Sequence, residues 1–291
     1  MDQPLAGQKT GFAGLGNMGR ANARHLHLAG AELWVWNRSP GPVEAAVAMG
    51  MKSAASLPKL ASEIGPGVIF INLTTTEVVE QVVFGPGGLH EGLHPDAMIV
   101  DMGTTSVAKT REFAQKVAWV DAPVSGGQVG AEAGNLTIMA GGTEENFKRA
   151  LPFLSAMGAR VTHMGSSGAG QVTKLANQLI VAQTIDAVAQ ALRLSELSGV
   201  DPARVREALL GGFAESRILQ LHGDRMVRRD FAPGGRSVLQ LKDVRLICEL
   251  AADVGLHSDT LANCRSQWER FVHELGNGEL DHSGLFKIYE T

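Results

Sequence analysis

The first half of the chain alternates short apolar runs with longer segments of helical period. Strands are predicted over Lys9–Ala13, Glu32–Trp36, Lys52–Ala54, Val68–Leu73, Met98–Asp101, Trp119–Asp121, Leu136–Ala140 and Arg160–Met164. Val68–Leu73 is apolar along its length, which is typical of a parallel sheet that helices cover on both faces. Helical patterns fill the intervals between these strands, so the segment is predicted to be a doubly wound α/β domain.

A long helical pattern follows, and no convincing strand appears after it. Ala169–Ser198 is predicted to be one helix of about 45 Å at ~1.5 Å per residue. Its apolar residues lie on more than one face, so we expect it to be buried on most sides. Shorter helices are predicted over Pro202–Leu210, Ser216–Met226, Val238–Val254 and Thr260–Leu275.

The predicted architecture is therefore an α/β Rossmann-type dinucleotide-binding domain followed by an all-α C-terminal domain. We place the first domain at residues 1–168 and the second at 169–291, and the latter begins with the long interdomain helix 169–198.

A glycine-rich turn follows the first strand. It consists of Gly14, Leu15, Gly16, Asn17, Met18 and Gly19, which read GxGxxG. The glycines allow a tight turn, close approach of a pyrophosphate and close helix–strand packing. Between a strand and a helix, the motif predicts dinucleotide binding at the helix N-terminus.

The residues after the second strand bear on the choice of cofactor. An NAD-specific domain usually has an acidic residue there, but this chain has Asn37, Arg38 and Ser39. An arginine can pair with a 2′-phosphate that a carboxylate would repel, so NADP(H) is preferred and NAD(H) stays open. Alternatively, Arg38 is a solvated surface residue. Thr74 and Thr75 follow a later strand, at the edge where cofactors bind.

Composition excludes several classes of protein. The 291 residues are 44% apolar and carry a net charge of −4, which argues against nucleic-acid binding. We find no signal-peptide core and no uninterrupted membrane-spanning run. Cys248 and Cys264 suggest no disulfide framework, so a cytoplasmic location is expected. His90 and His94 lie among glycines before a proline, so a loop is predicted and no metal site.

A second glycine-containing loop offers groups for a small anion. Ser125 has a hydroxyl, and Gly126 and Gly127 leave their backbone N–H groups unshielded. Such a loop is suited to bind a carboxylate. A plain connecting loop is the other interpretation.

Polar residues in the first turns of the long helix share one face. Lys174, Asn177 and Gln178 are three and four residues apart. An unpaired charge inside a buried helix costs free energy, so the presence of Lys174 at this position needs an explanation. Either it serves a site, or it lies near the helix start and extends to water.

Five segments together resemble the β-hydroxyacid dehydrogenases. They are GLGNMG (14–19), DMGTTS (101–106), DAPVSGG (121–127), GAGQVTKLANQ (168–178) and LKDVRL (241–246). The family includes 3-hydroxyisobutyrate dehydrogenases and the tartronate, glyoxylate and succinic semialdehyde reductases. The resemblance covers nearly the whole chain in order.

The resemblance implies a role for each candidate residue. It implies substrate binding by Ser125, Gly126, Gly127, Asn177 and Gln178, and cofactor contacts from Thr104, Lys242 and Asp243. It also implies that Lys174 is catalytic, and that the chain forms a homodimer or homotetramer through its helical domain.

Three positions depart from the family pattern. Gln178 stands where many relatives have asparagine, and the preceding Asn177 makes the order most similar to tartronate semialdehyde reductases. Gly103 replaces a usual serine. Gly235 stands where an aromatic residue is common, which could enlarge the substrate pocket or loosen a lid.

The chemistry expected is hydride transfer between NADPH and a small aldehyde acid, with Lys174 as general acid/base. An ammonium can stabilise the alkoxide and donate its proton. Because an unperturbed lysine has a pKa of ~10.4, reduction is the favoured direction. The substrate stays open among tartronate, succinic and methylmalonate semialdehydes, glyoxylate and a sugar acid. The alternatives are an imine reductase and a non-catalytic NADP-binding protein.

Overall fold

The computed structural model describes residues 3–290, and its N-terminal part alternates strands and helices. The strands are β1 (Lys9–Ala13), β2 (Glu32–Trp36), β3 (Lys52–Ser53), β4 (Val68–Ile71), β5 (Met98–Asp101), β6 (Ala118–Asp121), β7 (Val124–Ser125), β8 (Leu136–Gly141) and β9 (Gly158–Gly165). The helices are α1 (Asn17–Leu28), α2 (Pro40–Ala48), α3 (Leu57–Ile64), α4 (Thr76–Phe84), α5 (Val107–Lys116), α6 (Gly127–Glu132) and α7 (Glu144–Met157).

The strands form one sheet in the order β3-β2-β1-β4-β5-β6-β8-β7, and β9 pairs with β8. The first six strands of this order are parallel, whereas β8 runs antiparallel to β6 and β7. The order reverses between β1 and β4, and open α/β sheets bind ligands in the crevice at such a switch point. The predicted Rossmann-type fold is confirmed.

The sheet is held by apolar residues on both faces. Every residue of β4 is buried, as its apolar pattern predicted, and every residue of β5 is buried as well. Phe12 and Phe70 stack at a ring separation of 6.1 Å on one face. Trp119 and Phe113 pack at 5.4 Å on the other. Both faces therefore contribute to the core, which fixes the strand ends that carry the site.

The C-terminal part is helical. Its helices are α8 (Ala169–Leu197), α9 (Pro202–Leu209), α10 (Arg217–Arg228), α11 (Ser237–Asp253) and α12 (Asp259–Glu269), followed by a π-helical turn at Arg270–Glu274 and a 3₁₀ helix at His282–Tyr289. Its core contains the buried rings of Trp268, Phe271 and Phe286. The chain divides into two compact units between Lys174 and Leu175, inside α8, whereas we had placed the boundary before the helix.

One expectation for α8 was wrong. The helix is not buried on most sides, because Ile180, Leu194 and Leu197 are 68%, 68% and 69% exposed. These residues lie on one stripe of the 29-residue helix. Residues such as Ile185 and Leu192 face the helical core instead. The other helices of this unit cover only one side of α8 within a single chain.

Two segments contain more structure than we predicted. The loop at Ser125–Gly127 joins a short strand, β7, to the helix α6, and neither element was expected. The segment predicted as one helix over Thr260–Leu275 changes at Arg270 from α-helical to π-helical hydrogen bonding. His90 lies in a 3₁₀ turn at Leu89–Gly92, and its ring bonds to the Val83 carbonyl.

Both cysteines are free, and burial raises both thiol pKa values, that of Cys264 to about 12. Among residues 3–290, no three metal-binding side chains converge on one point. Within the same range, no helix has both the length and the apolar composition that a membrane span requires.

Candidate active site

The glycine-rich turn after β1 has the geometry that its sequence predicts. Gly14 has φ +100°, and a Cβ atom there would lie 2.4 Å from the Asn72 carbonyl oxygen. A Cβ atom on Gly19 would lie 1.9 Å from the Gly14 carbonyl oxygen. Gly16 has open space around it and caps α1 without a side-chain hydrogen bond. The N-terminus of α1 therefore fits a dinucleotide pyrophosphate.

The residues after β2 separate into one that holds the turn and two that face outward. Asn37 Oδ1 accepts from the Leu15 backbone N–H at 2.9 Å, and Asn37 Nδ2 donates to the Ser39 carbonyl at 3.0 Å. Asn37 thus ties the glycine turn to the end of β2. Arg38 and Ser39 are exposed, and the Ser39 hydroxyl makes no capping bond to α2. Both side chains are therefore open to solvent at the end of β2.

The threonines after β4 have different environments. Thr75 Oγ1 accepts from the Val78 N–H and caps α4. Thr76, one residue further on, accepts from the Ser106 N–H at 3.0 Å and joins this loop to the start of α5. Thr74 is exposed at the carboxyl end of β4. The Thr74 side chain is therefore the one that faces outward here.

The loop between β5 and α5 is held by two buried side chains. Asp101 accepts from the Gly103 N–H at 2.8 Å and from the Thr105 hydroxyl at 3.1 Å. Gln171 accepts from the Thr105 N–H at 3.1 Å and donates to the Gly103 carbonyl at 2.9 Å. Partly exposed Thr104 lies between the two anchored residues, so its backbone position is fixed.

A buried carboxylate at the end of β6 caps the start of α8. Asp121 accepts from the Gly168 N–H at 2.8 Å and from the Gln171 N–H at 2.9 Å. Burial raises the pKa of Asp121, and these hydrogen bonds oppose that rise only in part. Cβ atoms on Gly141 and Gly170 would lie 2.7 and 2.8 Å from its carboxylate oxygens. The two glycines leave the space that the carboxylate fills.

The predicted carboxylate-binding loop is open to solvent. Ser125 ends β7, which pairs with β8, and its side chain is partly exposed. Gly126 and Gly127 are exposed and have φ values of +133° and +61°. L-residues rarely adopt these values, so the backbone turn depends on the two glycines. The hydroxyl of Ser125 and the start of α6 are presented side by side.

Lys174 lies in α8, three residues after Gln171 and on the same face of the helix. Its side chain is 9% exposed. The lysine therefore does not extend freely into water, as our alternative interpretation required. A largely buried ammonium, one helical turn after the residue that anchors the Thr104 loop, is the arrangement that the functional interpretation needs.

In the helical unit, Gln178 links two helices. Its Nε2 donates to Asp243 Oδ2 at 2.6 Å and to Gln240 Oε1 at 3.3 Å, both on α11. Asn177 Nδ2 donates to Gln178 Oε1 at 2.8 Å. Lys242 pairs with Asp243 at 2.9 Å. Asp243 thus holds Lys242 and Gln178 together, and Gln178 has a structural function whether or not it contacts substrate.

The turn before α11 explains how the chain accommodates Gly235. A Cβ atom on Gly235 would lie 2.9 Å from the His282 ring, so that ring fills the space where a side chain would begin. Asp281 accepts from the N–H groups of Gly234 and Gly235 at 3.2 and 3.0 Å. These two hydrogen bonds therefore hold the turn to Asp281.

Known proteins resemble this chain over nearly its full length. Residues 9–165 match the family model described as the NAD binding domain of 6-phosphogluconate dehydrogenase. Residues 168–289 match the model described as NAD-binding of NADP-dependent 3-hydroxyisobutyrate dehydrogenase. The 2-hydroxy-3-oxopropionate reductase of Escherichia coli is 40% identical over 97% of each chain. The chain belongs to the β-hydroxyacid dehydrogenase family.

Other members of the family agree with this placement. The 2-(hydroxymethyl)glutarate dehydrogenase of Eubacterium barkeri is 33% identical over 97% of this chain and 95% of its own. A 3-hydroxyisobutyrate dehydrogenase structure from Mycobacterium tuberculosis superposes with a TM-score of 0.88 at 27% identity, covering 98% and 99% of the two chains. The protein is thus an NAD(P)-dependent oxidoreductase of the β-hydroxyacid dehydrogenase type.

The structure also identifies residues of this β-hydroxyacid dehydrogenase that our sequence reasoning missed. Asp101, Asp121 and Gln171 are each 0% exposed and anchor the elements that carry Thr104, Ser125 and Lys174. The two aspartates end buried strands, where a carboxylate is unusual without a partner. That position was the available signal for both.

Proposed function

We propose that the protein reduces a small aldehyde acid to the corresponding β-hydroxy acid with NADPH. The observation that carries this proposal is the largely buried Lys174, which shares a helix face with the residue that anchors the Thr104 loop. When bound, the nicotinamide supplies the hydride.

In this proposal Lys174 stabilises and protonates the developing alkoxide. Its ammonium would donate a proton to the carbonyl oxygen as charge develops there. The Ser125 hydroxyl and the backbone N–H groups of Gly126 and Gly127 would hold the substrate carboxylate and so decide which carbon is presented. Asn177 would orient the substrate, and Lys242, paired with Asp243, would close over the cofactor, both by resemblance.

The first test is a set of initial rates with NADPH across aldehyde acids. 2-Hydroxy-3-oxopropionate, the compound in the name of the 40% identical relative, is the first substrate to try. Glyoxylate and succinic and methylmalonate semialdehydes follow. One substrate with a far higher kcat/KM is expected, and no turnover of any of them would contradict the proposal.

Lys174→Ala tests the assigned role. The variant should retain NADPH binding and lose about 1,000-fold in kcat, within the range for general acid catalysis. Lys109→Ala is the matched control, because Lys109 lies on the surface of α5 in ion pairs with Glu80 and Glu112. Turnover within tenfold of wild type for Lys174→Ala would remove Lys174 from the mechanism.

The NADPH preference rests on Arg38 and Ser39, which are exposed at the end of β2. The match to a model of NADP-dependent enzymes supports it. Arg38→Ala should raise KM for NADPH about tenfold and leave KM for NADH unchanged, since a single phosphate contact of this kind is worth ~1.5 kcal/mol. An equal effect on both cofactors would contradict the assignment.

The apolar stripe on α8 supports a homo-oligomer formed through the helical unit. Ile180, Leu194 and Leu197 are exposed on one side of the helix, spaced along its length, and exposed apolar surface of this kind marks interaction sites. Ile180→Glu combined with Leu194→Glu should convert the native dimer or tetramer to monomer in analytical ultracentrifugation. An unchanged sedimentation coefficient would place the interface elsewhere.

A further inference from the structure

One carboxamide joins two segments that are far apart in sequence. Gln171 lies 66 residues from Thr105 and 68 from Gly103, yet its side chain bonds to the backbone of both. The side chain is 0% exposed, and its backbone N–H is held by Asp121. The carboxamide therefore has one acceptor and one donor in use, each aimed at a fixed backbone group.

The two bonded backbone groups lie on either side of Thr104. The Gly103 carbonyl accepts from Gln171 Nε2, and the Thr105 N–H donates to Gln171 Oε1. A Cβ atom on Gly103 would also lie 2.8 Å from the Leu73 carbonyl oxygen, so a larger residue there would push the loop away from β4. The position of Thr104 relative to α8 is thus set by Gln171 more directly than by any other side chain described above.

We propose that Gln171 is a positioning residue that fixes the distance between Thr104 and Lys174. Lys174 follows Gln171 by three residues on the same helix face, so the carboxamide and the ammonium move together with one turn of α8. The proposal rests on the function proposed above, in which Lys174 protonates the substrate, and on the cofactor contact that the family resemblance implies for Thr104. Misplacement of such groups by about 1 Å can cost about 100-fold in rate.

The amide pattern of glutamine is needed here, because both bonded groups are buried backbone groups. Leucine of similar size would leave the Thr105 N–H and the Gly103 carbonyl without their partner. A carboxylate would place an acceptor against the Gly103 carbonyl oxygen, and the two would repel. A protonated carboxyl group, by contrast, has one acceptor and one O–H donor and restores both bonds.

The test compares Gln171→Leu and Gln171→Glu between pH 6 and pH 9.5. Gln171→Leu should lose at least about 30-fold in kcat at every pH, with the Kd for NADPH within about twofold of wild type. Gln171→Glu should have a kcat within about threefold of wild type at pH 6, where its carboxyl is protonated in a buried site. Its activity relative to wild type should fall as the pH rises.

Thr10→Val is the matched control for a buried polar side chain. Thr10 is also 0% exposed, and its hydroxyl donates to the Val68 carbonyl at 2.6 Å, away from the candidate site. This variant should lose thermal stability without losing kcat. Two results would overturn the proposal: a Gln171→Leu variant whose kcat stays within threefold of wild type, or a Gln171→Glu variant as inactive at pH 6 as Gln171→Leu.

Hydrogen exchange of the ligand-free protein gives a second readout that does not depend on turnover. In Gln171→Leu the Thr105 N–H loses its acceptor, so its exchange should accelerate at least about tenfold while the core strands keep their protection. If Gln171→Leu does not fold, Gln171→Glu at pH 6 and pH 9.5 provides the same comparison. Exchange that is unchanged in both variants would contradict the anchoring role itself.

The outcomes separate this proposal from the proposed function. If the wild-type protein reduces none of the aldehyde acids, or Lys174→Ala remains active, the proposed function is wrong. The exchange experiment then still tests whether Gln171 anchors the Thr105 N–H. If wild type is active and Lys174→Ala is not, an undiminished kcat in Gln171→Leu defeats the positioning role alone.

Discussion

Two buried aspartates, one in each unit, bind backbone N–H groups in similar ways but have opposite shifts in pKa. Asp121 accepts from Gly168 and Gln171, and its pKa is raised because burial outweighs these hydrogen bonds. Burial also raises the pKa of Asp281, but hydrogen bonds from Gly235 and Ser283 outweigh it, and the net pKa is lowered. Both carboxylates are nearly inaccessible to solvent.

The difference lies in the charges and donors around each carboxylate. Arg225 Nη1 lies 2.8 Å from Asp281, and Ser283 donates to it through both its N–H and its hydroxyl. Backbone N–H groups are the donors described at Asp121. The pKa of Asp281 is lowered by the hydrogen bonds from Gly235 and Ser283 and then by the charge of His282, since donors to the charged form favour it. Hydrogen bonds from capped backbone N–H groups alone therefore do not decide whether the pKa of a buried aspartate is raised or lowered.

The largest contrast should come from removing each carboxylate. Asp121→Ala leaves two N–H groups at the start of α8 unpaired, so we expect the free energy of unfolding to fall by about 3 kcal/mol and kcat by about 100-fold. Asp281→Ala should cost about as much stability, because it removes the carboxylate 2.8 Å from Arg225 Nη1 and leaves the Gly235 and Ser283 N–H groups without their acceptor, but less than about tenfold in kcat. Urea unfolding and initial rates at saturating substrate measure both.

If Asp281→Ala lowered kcat as much as Asp121→Ala does, the expected difference between the two aspartates in their effect on turnover would be wrong. Each variant should first be shown to keep its far-ultraviolet circular dichroism, so that rates refer to folded protein.

Acid should destabilise the protein chiefly through the turn at Asp281. Burial lowers the pKa of His222 to about 4, with Arg225 and His282 adding to this and Asp281 opposing it. As the pH falls from 6.5 toward 4, His222 becomes protonated in the unfolded chain while it stays neutral in the folded chain. The free energy of unfolding should thus fall by about 3 kcal/mol between pH 6.5 and pH 4.

His222→Phe should remove most of this pH dependence, because the ring stacks on His282 and its Nδ1 makes no hydrogen bond. Asp281 contributes in the same direction at lower pH, whereas Asp121, with its raised pKa, gains stability on protonation. A His222→Phe variant with an unchanged slope between pH 6.5 and pH 4 would contradict the assignment to His222.

Gly235→Ala tests whether the Asp281 turn tolerates a side chain. The added methyl would press on the His282 ring, and overpacking of this kind costs about 1–2 kcal/mol. Adding His282→Ala should make the double variant about 1 kcal/mol more stable than the sum of the single effects. Gly41→Ala, in the first turn of α2 with open space around it, is the control and should not lose stability. Additive effects would show that the ring is not the obstacle.

The smallest expected effect sharpens the comparison by making Asp281 more like Asp121. Ser283→Ala removes the hydroxyl that donates to Asp281 at 2.7 Å and keeps the backbone donor. We expect a loss of about 1 kcal/mol in the free energy of unfolding at pH 7. The loss should shrink as the pH falls below the lowered pKa of Asp281, because the carboxyl then becomes protonated. A pH-independent loss would indicate a packing effect instead.

Most of the α/β unit could be predicted from the sequence, because buried parallel strands are recognisable one at a time. Val68–Ile71 and Met98–Val100 are apolar and are followed by polar residues, so their place in the sheet follows from local pattern. Helix α6 was missed because GQVGAE contains two glycines and no helical period of apolar residues. Strand β7 has two residues and depends on its pairing with β8.

The candidate site likewise has a part that local sequence predicts and a part that it does not. Gly14–Gly19 and Ser125–Gly127 are local motifs whose residue types indicate their use. The bonds of Gln171 to Thr105 and of Asp121 to Gly168 span 66 and 47 residues, and no local pattern predicts such pairs. The exposed stripe of α8 was mispredicted for a related reason, since periodicity shows that a helix is apolar but not which neighbour covers it.

The raised pKa values of the two thiols have a practical consequence for labelling this enzyme with a conformational probe. Because burial raises the pKa of both Cys248 and Cys264, the thiolate fraction at neutral pH lies below that of an ordinary exposed cysteine. The two natural cysteines should therefore react slowly with maleimide reagents. A fluorophore or spin label attached to a single cysteine introduced at an exposed residue would report from that position alone.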